Sequence, residues 1–312
     1  MHVSTRSLPA ALAGAALAVS VLAGCSAGGD GSGGTTAPGA APTAAGSAVA
    51  KDDALAKLVP ANFASDGTLT WGTDASYPPN EFTDTDGTTI IGMDVEIARA
   101  VSQKLGLEAK FENSQFSGII PGVEGDKYEA AISSFSVNAE RIKTVDMISY
   151  YSAGTSLGVK PGNPEKLDPE KLCGKAIGVQ AGTTQAEEIV EKNKACTDGG
   201  QPPIAITELQ QQTDVTLALT SNRIVGMLAD SPVVAYAVKQ TNNAVEVVGK
   251  PYATSPYGIV IGKNKGEYSK AIQGAVQALI KDGTYKSILD KWNGAAGAIT
   301  EADVAVNPAV AS

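Results

Sequence analysis

Histidine is nearly missing from this chain of 312 residues, since His2 is the only one. Imidazole is the base of Ser-His-Asp and Cys-His catalysis and a ligand in most zinc sites. Cysteine is also scarce, with three residues, and metal binding by so few cysteines is a poor alternative. The sequence therefore predicts no metal site, no cofactor and no catalysis that depends on histidine.

Long apolar runs are also scarce. The run from Leu8 to Leu22, which follows Arg6, is shorter than the roughly 20 residues that span a bilayer. A basic residue, an apolar run and then small residues are typical of an export signal. Leu22-Ala23-Gly24-Cys25 resembles the bacterial lipobox, which implies that residues 1–24 are removed and that Cys25 is acylated. An ordinary secretory signal with an incidental cysteine is the alternative.

Basic charge is limited as well. The chain carries a formal charge of −9, and removal of Arg6 with the signal leaves 23 basic against 33 acidic side chains, about −10. This balance argues against nucleic acid as a partner and against a polybasic membrane patch. From Ser26 to about Ala50 the chain is almost wholly Gly, Ala, Ser, Thr and Pro. Such a composition cannot bury a core, so residues 25–55 are predicted to form a flexible tether.

Two cysteines remain once Cys25 is assigned to lipid. In an exported, oxidising setting a disulfide between Cys173 and Cys196 is the default expectation. A bridge that closes a loop of this length stabilises a fold by roughly 3 kcal/mol in the chain-entropy model.

The body of the chain alternates strands and helices in two rounds. The first round begins with a strand at Thr68–Gly72 and ends with one at Tyr128–Ser134. The second begins after Lys160 and includes a buried strand at Ile224–Ala229. Alternation of this kind predicts an α/β fold with mostly parallel sheets covered by helices. Ligands of such sheets bind beyond the carboxyl ends of the strands.

Polar side chains that suit a carboxylate follow the last strand of the first round. The stretch Ala130–Tyr151 contains a cluster of serines and then Arg141. Arginine presents a planar fork that matches two oxygens, and a helix start adds free backbone N–H groups. The sequence therefore predicts a receptacle for a small carboxylated molecule at this point.

Several polar side chains in these segments can be interpreted as helix caps rather than as ligand contacts. Asp94 is predicted to cap a helix, and Asn138 is predicted to cap the turn that carries Arg141. Proline favours the first helical position, so Pro232 makes Ser231 the cap and leaves Asp230 free for a ligand. Arg141 itself has the alternative of an exposed surface arginine.

Seven segments, taken together, resemble the polar amino-acid solute-binding proteins of ABC importers, family 3, which have the type II periplasmic-binding-protein fold. The resemblance covers about Leu69 to Asn293. The matching segments, in chain order, are GTDASYPPNEF, IIGMDVEIARAVSQKLGL, FSGIIPGV, SSFSVNAERIKTVDMISYY, GKAIGVQAGTT, IVGMLADSPVVAY and DGTYKSILDKW.

The resemblance implies two lobes, each with a mostly parallel sheet flanked by helices. Lobe 1 is expected to comprise residues 56–153 and 254–295, and lobe 2 residues 154–253. Two hinge crossings are expected, near Ser152–Thr155 and near Pro251–Ser255. The tail 296–312 shows no hydrophobic period and is predicted to be loose.

The resemblance also implies how a ligand carboxylate is held. Ser134, Ser136 and Arg141 would bind the α-carboxylate from lobe 1. The turn Gly182-Thr183-Thr184 would meet it from lobe 2. Thr184 has the alternative of being only the cap of its helix.

The rest of the ligand is assigned in the same way. Asp230 would accept the α-ammonium, Tyr77 and Phe116 would sandwich the side chain, and Asp74 would lie near its far end. Asn80 departs from the family pattern, in which an aromatic residue is usual, and an amide there favours a polar ligand.

The prediction is a lipid-anchored, monomeric, non-enzymatic binding protein on the outer face of a bacterial cell membrane. Its expected partners are a polar amino acid, the subunits of an ABC permease and, through the lipid, the membrane. The alternatives are an enzyme on the same fold, such as a cyclohexadienyl-type dehydratase, and a ligand-sensing module for a signalling receptor.

Overall fold

The structure is a computed structural model that describes residues 49–309. The predicted signal peptide 1–24, the lipobox cysteine Cys25, the tether as far as residue 48 and the last three residues of the tail lie outside the described residues.

Strands and helices alternate through most of the described chain, as the sequence predicts. The strands are β1 (Thr68–Thr73), β2 (Ser76–Tyr77), β3 (Glu81–Thr83), β4 (Ile90–Ile91), β5 (Glu108–Asn113), β6 (Ala130–Ala131), β7 (Val145–Val159), β8 (Ala176–Gln180), β9 (Ala205–Leu209), β10 (Gly226–Asp230) and β11 (Glu246–Gly262). The helices are α1 (Asp53–Ala56), α2 (Met93–Lys104), α3 (Phe116–Glu124), α4 (Arg141–Thr144), α5 (Thr184–Asp198), α6 (Gln212–Thr220), α7 (Ser231–Gln240), α8 (Tyr268–Lys281) and α9 (Thr284–Trp292).

Eight of the strands form one sheet in the order β5-β1-β6-β11-β7-β10-β8-β9, and β2, β3 and β4 form a small antiparallel sheet. We call β5, β1 and β6 the first half of the large sheet and β10, β8 and β9 the second half. Within each half the strands are parallel. The predicted α/β fold with mostly parallel strands is confirmed.

Two long antiparallel strands join the halves. β7 and β11 pair along most of their length, and β7 also pairs with β10 while β11 also pairs with β6. Both predicted crossings fall inside these strands. Their pairing is irregular there, with register shifts between Val248 and Tyr252 and between Tyr252 and Ser255.

The apolar side chains of the body form four clusters, two in each half. In the first cluster Trp71 is fully buried, and its indole Nε1 donates to the Ser102 hydroxyl at 2.9 Å. Because a buried indole N–H without an acceptor is costly, this bond lets a large aromatic side chain fill the core. The pair Asp282-Gly283 predicts a break in the last long helix, and the break is present, since Gly283 separates α8 from α9 with a φ of +84°.

The predicted cap of α2 is wrong. The helix begins at Met93 and its cap is Gly92, which has a φ of +138°. A Cβ at Gly92 would lie 2.1 Å from the Asn80 carbonyl oxygen, so only glycine fits this approach. Asp94 lies inside the first turn, and its buried carboxylate accepts hydrogen bonds from outside the helix. Long-range partners, rather than local capping, determine its position.

Two other helices also begin one residue from the predicted start. Thr183, and not Thr184, caps α5, and its hydroxyl oxygen accepts from the Ala186 N–H at 3.1 Å. Asp230, and not Ser231, occupies the cap position of α7, with Pro232 as its second residue. The predicted cap at Ser231 is therefore wrong, although the Asp230 side chain forms no capping hydrogen bond and contacts other residues, as described below.

The residues on either side of Leu69–Asn293 pack against the rest of the fold. Val49 and Leu55, at the end of the segment predicted as tether, contact the first core cluster. The tail from residue 296, predicted to be loose, is docked as far as residue 307. Val304 is buried, Val306 forms a bridge with Ile148, and alternate valines therefore face one surface.

The disulfide between Cys173 and Cys196 is present, with a Cα–Cα distance of 5.6 Å. It joins the segment before β8 to the end of α5, and Cys196 is buried in a core cluster of the second half.

Candidate functional site

A small cavity lies between the loops of the two halves, with a volume of about 240 Å³ that includes space open to solvent. Its lining includes eight of the ten ligand-binding positions that the sequence predicts. The lining residues are Tyr77, Phe116, Ser133, Ser134, Ser136, Arg141, Gln180, Thr183, Thr184, Gln185 and Asp230. These residues lie at or just after the ends of β1, β5, β6, β8 and β10, so the carboxyl ends of parallel strands converge on one place.

Arg141 connects the two sides of this cavity. Its Nη1 donates to the Ser136 carbonyl oxygen at 2.8 Å, and its Nη2 donates to the Gly182 carbonyl oxygen at 3.1 Å. Asn138 Oδ1 accepts from the Arg141 N–H at 2.8 Å, so the predicted capping contact is present. Burial lowers the pKa of the guanidinium, which still remains a cation because an arginine pKa starts so high.

Two stacked aromatic rings lie under the guanidinium. Phe116 and Phe135 have ring centroids 4.7 Å apart, and the Arg141 Cζ atom lies 5.5 and 5.6 Å from these centroids. The rings hold the cation by cation–π attraction while they exclude water. Phe135 was missed from the sequence, where it is an apolar residue within a serine cluster.

The turn after β8 approaches the first half closely. Gly182 has a φ of +76°, and a Cβ there would lie 2.9 Å from the Ser117 Cβ atom. Glycine thus serves both the left-handed turn and the close approach. Gly182 contributes its carbonyl oxygen to Arg141, whereas Thr183 and Thr184 place the start of the 15-residue helix α5 at the cavity.

Asp230 is the buried anion of the second half. Its Oδ1 accepts from Gln185 Nε2 at 2.8 Å and its Oδ2 accepts from the Tyr257 hydroxyl at 2.7 Å. The Tyr77 hydroxyl, from β2 of the small sheet, accepts from the Asp230 N–H at 3.1 Å. Burial raises the pKa of the Asp230 carboxyl, whereas these hydrogen bonds and the charge of Arg141 oppose that rise.

Asp74 lies one layer behind the cavity wall. Its Oδ2 accepts from the Phe116 N–H and from Gln180 Nε2, both at 2.9 Å. Since Gln180 belongs to β8, this bond joins the two halves. Burial raises the pKa of the Asp74 carboxyl. Gln180 and Gln185, which line the cavity, were missed because a glutamine near a turn carries no distinctive sequence signal.

A second polar network lies beneath the serines, around Glu81 and Asp94. The Ser133 hydroxyl donates to Glu81 Oε1 at 3.1 Å, and the Ser134 N–H donates to Asp94 Oδ2 at 2.9 Å. Tyr150 donates its hydroxyl to the same Asp94 oxygen at 2.5 Å. Both carboxyls are fully buried, and burial is the main cause that raises the pKa of each. The charge of Asp94 raises the pKa of Glu81 further, as expected where two buried carboxyls interact.

We expect Glu81→Gln to flatten the dependence of stability on pH. The pKa of Glu81 is raised well above its usual 4.5 in the folded state, so the folded protein holds a proton that the unfolded chain releases. Its contribution to stability is therefore complete below the unfolded pKa and is lost as pH rises toward the folded pKa. Urea unfolding from about pH 5 to about pH 8 should show a smaller decline in the free energy of unfolding for the variant. Parallel curves for the two proteins would contradict this.

A cation and an anion, contributed by two α/β halves to one shielded cavity, define the class of a small-molecule binding protein. The chain belongs to the bacterial extracellular solute-binding proteins, family 3, whose sequence profile matches residues 69–295. The resemblance inferred from the seven sequence segments is thus confirmed.

The most informative relatives are named as arginine-binding proteins. The arginine-binding protein ArgT of Corynebacterium glutamicum is 31% identical over 252 residues, which are 80% of this chain and 82% of that protein. An ancestral arginine-binding protein with bound arginine is 34% identical, with a TM-score of 0.67, and the match covers 73% of this chain and 99% of that one. An ancestral arginine-binding protein with bound glutamine is 33% identical, with a TM-score of 0.67, and the match covers 73% of this chain and 98% of that one. These names are those of binding proteins, which favours the prediction of a non-enzyme over the dehydratase alternative.

Two features that residues 49–309 lack bear on the site. That part of the chain contains no cluster of three acidic, histidine or cysteine side chains arranged to hold a metal ion. Among its helices, none is long and apolar enough to cross a lipid bilayer.

Proposed function

We propose that the protein captures a polar L-amino acid between two lobes and delivers it to the permease of an ABC importer. The observation that carries this proposal is one cavity lined by both the half-buried cation Arg141 and the buried anion Asp230. Such a pair matches the carboxylate and the ammonium of a zwitterion, and burial strengthens both interactions. Membership of the extracellular solute-binding family supports it.

The carboxylate end of the ligand is assigned to Arg141 and to the start of α5. The guanidinium has a forked set of donors, and the free N–H groups at a helix start favour an anion. Ser136, Gly182, Thr183 and Thr184 surround this position.

The ammonium end is assigned to Asp230 and Ser134. Sequence reasoning placed Ser134 with the carboxylate, but its hydroxyl lies 3.2 Å from Asp94 Oδ2 and 3.4 Å from Glu81 Oε2 as a donor. A hydroxyl has one proton, so a Ser134 that donates to this carboxyl pair can only accept from the ligand. An acceptor suits the ammonium.

The side chain of the ligand is proposed to be rich in N–H groups, as in arginine or glutamine. Gln180 Oε1 is buried and has no hydrogen-bond partner among the described residues. Asp74 supports it from behind, through the Gln180 amide nitrogen. Tyr77 and Phe116 would provide the walls. The names of the relatives point to the same ligands.

The two lobes are proposed to comprise residues 56–153 with 254–295, and residues 154–253. They would close by bending at Ser152–Thr155 of β7 and Pro251–Ser255 of β11. The irregular pairing of these strands supports this, as does Ala253, whose φ of +48° is unusual for a residue other than glycine. Closure of this kind is a hinge motion about a few residues in crossing segments.

The proposal also includes attachment to the outer face of the cell membrane through acylated Cys25, and a monomeric state. The lipobox-like segment and the Gly-, Ala- and Ser-rich tether support the attachment. A single acyl chain binds a membrane only marginally, so more than one chain on Cys25 would be required.

We expect a thermal-shift screen of the L-amino acids to identify a ligand. An amino acid present at 100 times its dissociation constant should stabilise the folded state by about 2.7 kcal/mol, which raises the Tm by about 5–10 °C for a body of this size. The Arg141→Ala variant is the control and should lose most of the shift. The proposal fails if no L-amino acid raises the Tm, or if the shift is equal in the variant.

A further inference from the structure

The paired carboxyls of Glu81 and Asp94 lie directly behind the ammonium end of the proposed site. Both lie within hydrogen-bond distance of the Ser134 hydroxyl, Asp94 Oδ2 at 3.2 Å and Glu81 Oε2 at 3.4 Å. Neither forms a salt bridge with a lysine or arginine of residues 49–309, and both are fully buried. The other titratable groups that interact electrostatically with them are a further carboxyl, Asp74, and the hydroxyls of Tyr77, Tyr150, Tyr151 and Tyr285. A buried charge without a counter-ion is costly, so its presence in this position requires a reason.

The contacts of the two carboxyls differ. Asp94 Oδ2 is the acceptor for three donors: the Ser134 N–H at 2.9 Å, the Tyr150 hydroxyl at 2.5 Å and the Ser134 hydroxyl at 3.2 Å. Asp94 also lies in the first turn of α2, where the helix dipole favours an anion. Glu81 accepts only from hydroxyls, Ser133 at 3.1 Å and Ser134 at 3.4 Å. Hydrogen bonds to the charged form stabilise it, so the charge belongs on Asp94 and the proton on Glu81.

Ser134 connects this pair to the cavity. Its φ of +54° is unusual for serine, and this backbone conformation directs its N–H to Asp94. Its hydroxyl proton faces the carboxyl pair, and Asn80 Nδ2 donates to the same oxygen at 2.8 Å. A serine oxygen has two lone pairs, so one remains. Since Ser134 lines the cavity, that lone pair is available to a ligand.

We infer that Asp94 carries the charge and Glu81 the proton, and that the Asp94 charge acts through the Ser134 hydroxyl as a second anionic partner of the ligand ammonium, beside Asp230. The chain of bonds would run from the ammonium N–H to Ser134 Oγ, and from the Ser134 O–H to Asp94 Oδ2. Hydrogen bonds in such a chain polarise one another, which makes Ser134 a stronger acceptor than an isolated hydroxyl.

This inference rests on the proposed function and deepens it. Asp94 and Glu81 are positioning residues, because they act on the ligand only through Ser134. The pair would explain why a buried, uncompensated anion is maintained: the cation that compensates it arrives with the ligand. It also makes the site discriminate between ligands with and without an α-ammonium.

The test compares two variants with two probes. The first probe is L-arginine or L-glutamine, whichever gives the larger thermal shift, and the second is the same molecule with its α-ammonium replaced by hydrogen. Glu81→Gln keeps a neutral donor toward Asp94 and an acceptor for Ser133, so calorimetry should show less than about threefold weaker binding of the amino acid. The double variant Glu81→Gln/Asp94→Asn removes the charge and should weaken it at least about tenfold. The single change at Asp94 is less informative, because Glu81 would then ionise in its place.

The second probe distinguishes loss of the Asp94 charge from a structural change in the site. The double variant should bind the molecule without an ammonium within about twofold of the unmodified protein. If both probes weaken by the same factor, the pair has only a structural role and the inference is overturned. Ser134→Gly tests the connection, since glycine adopts the required φ without strain. It should remove most of the preference for the ammonium, and a preserved preference would contradict the chain of bonds.

A readout without ligand keeps the test independent of the proposed function. The infrared difference spectrum between the ligand-free protein and Glu81→Gln at neutral pH should contain the C=O band of a protonated carboxyl. Absence of this band would overturn the assignment of the proton, even if the amino acid binds. If instead the band is present but neither L-arginine nor L-glutamine binds, the proposed ligand is wrong while the proton assignment stands.

Discussion

Replacement of Arg141 by alanine should weaken amino-acid binding at least about 30-fold. Truncation of one partner of a buried, hydrogen-bonded charge pair costs about 2–5 kcal/mol, and 1.4 kcal/mol corresponds to a factor of ten. Arg141 is held for this role by the stacked rings of Phe116 and Phe135 and by the Ser136 carbonyl oxygen. Its removal leaves the ligand carboxylate without its forked donor and the Gly182 carbonyl oxygen without a partner. Isothermal titration calorimetry of the ligand found in the thermal screen measures the effect.

Two control variants show which property of Arg141 accounts for the lost affinity. Arg141→Lys keeps the charge but not the planar fork, so its affinity should lie between those of the alanine variant and the unmodified protein. Arg223→Ala removes an exposed arginine whose Nε contacts only the neighbouring Ser221 hydroxyl, at 3.4 Å. It should leave the affinity unchanged. If Arg141→Ala binds as tightly as Arg223→Ala, the assignment of the carboxylate site is refuted.

Removal of the disulfide by the double change Cys173→Ser/Cys196→Ser should lower the free energy of unfolding by roughly 3 kcal/mol. The bridge links residues separated by 23 positions, so it restricts the unfolded chain over a loop of that length. Serine at position 196 adds a polar group within the apolar cluster around Ile189 and Leu228. Urea unfolding of the two proteins under the same conditions measures the difference.

Chemical reduction distinguishes loss of the cross-link from the effect of a polar serine at position 196. The unmodified protein in excess dithiothreitol should lose most of the same stability, because the thiols remain compatible with the apolar cluster while the cross-link is gone. Equal stability with and without reductant would refute the contribution of the cross-link. Saturating ligand should raise the stability of both forms, since the site lies at the opposite end of α5, at Thr183 and Thr184.

Much of the fold was predictable because its elements are set locally. The alternation of apolar strands with helices of period 3.6 predicts both α/β rounds, and Gly283 predicts the break between α8 and α9. Helix starts were less predictable, as Asp94 illustrates. An aspartate before an apolar helix is an N-cap by local rules, but here Ser134 and Tyr150 draw its carboxylate into the core.

The candidate site was predictable in part for the same reason. Arg141 follows a strand of the first half and Asp230 ends a strand of the second, and ligands of parallel sheets bind beyond the carboxyl ends of the strands. Sequence patterns therefore indicated each position, and the resemblance to the binding-protein family implied that the two positions meet. Gln180, Gln185 and Phe135 were missed. Their roles depend on partners at large sequence separations, such as Asp74 for Gln180 and Asp230 for Gln185.

The sequence by itself determined the class of the protein, the order of its strands and helices, the cysteine pairing and which loops bear the charges. These properties follow from local patterns and from motifs that keep their spacing. Only the tertiary structure decided where the charges reside. It placed Glu81 and Asp94 together in the core, directed the Ser134 hydroxyl toward them and set Asp74 behind Gln180. The physical reason is that protonation and hydrogen-bond direction depend on burial and on the nearest partners, and the packing of the two halves creates both.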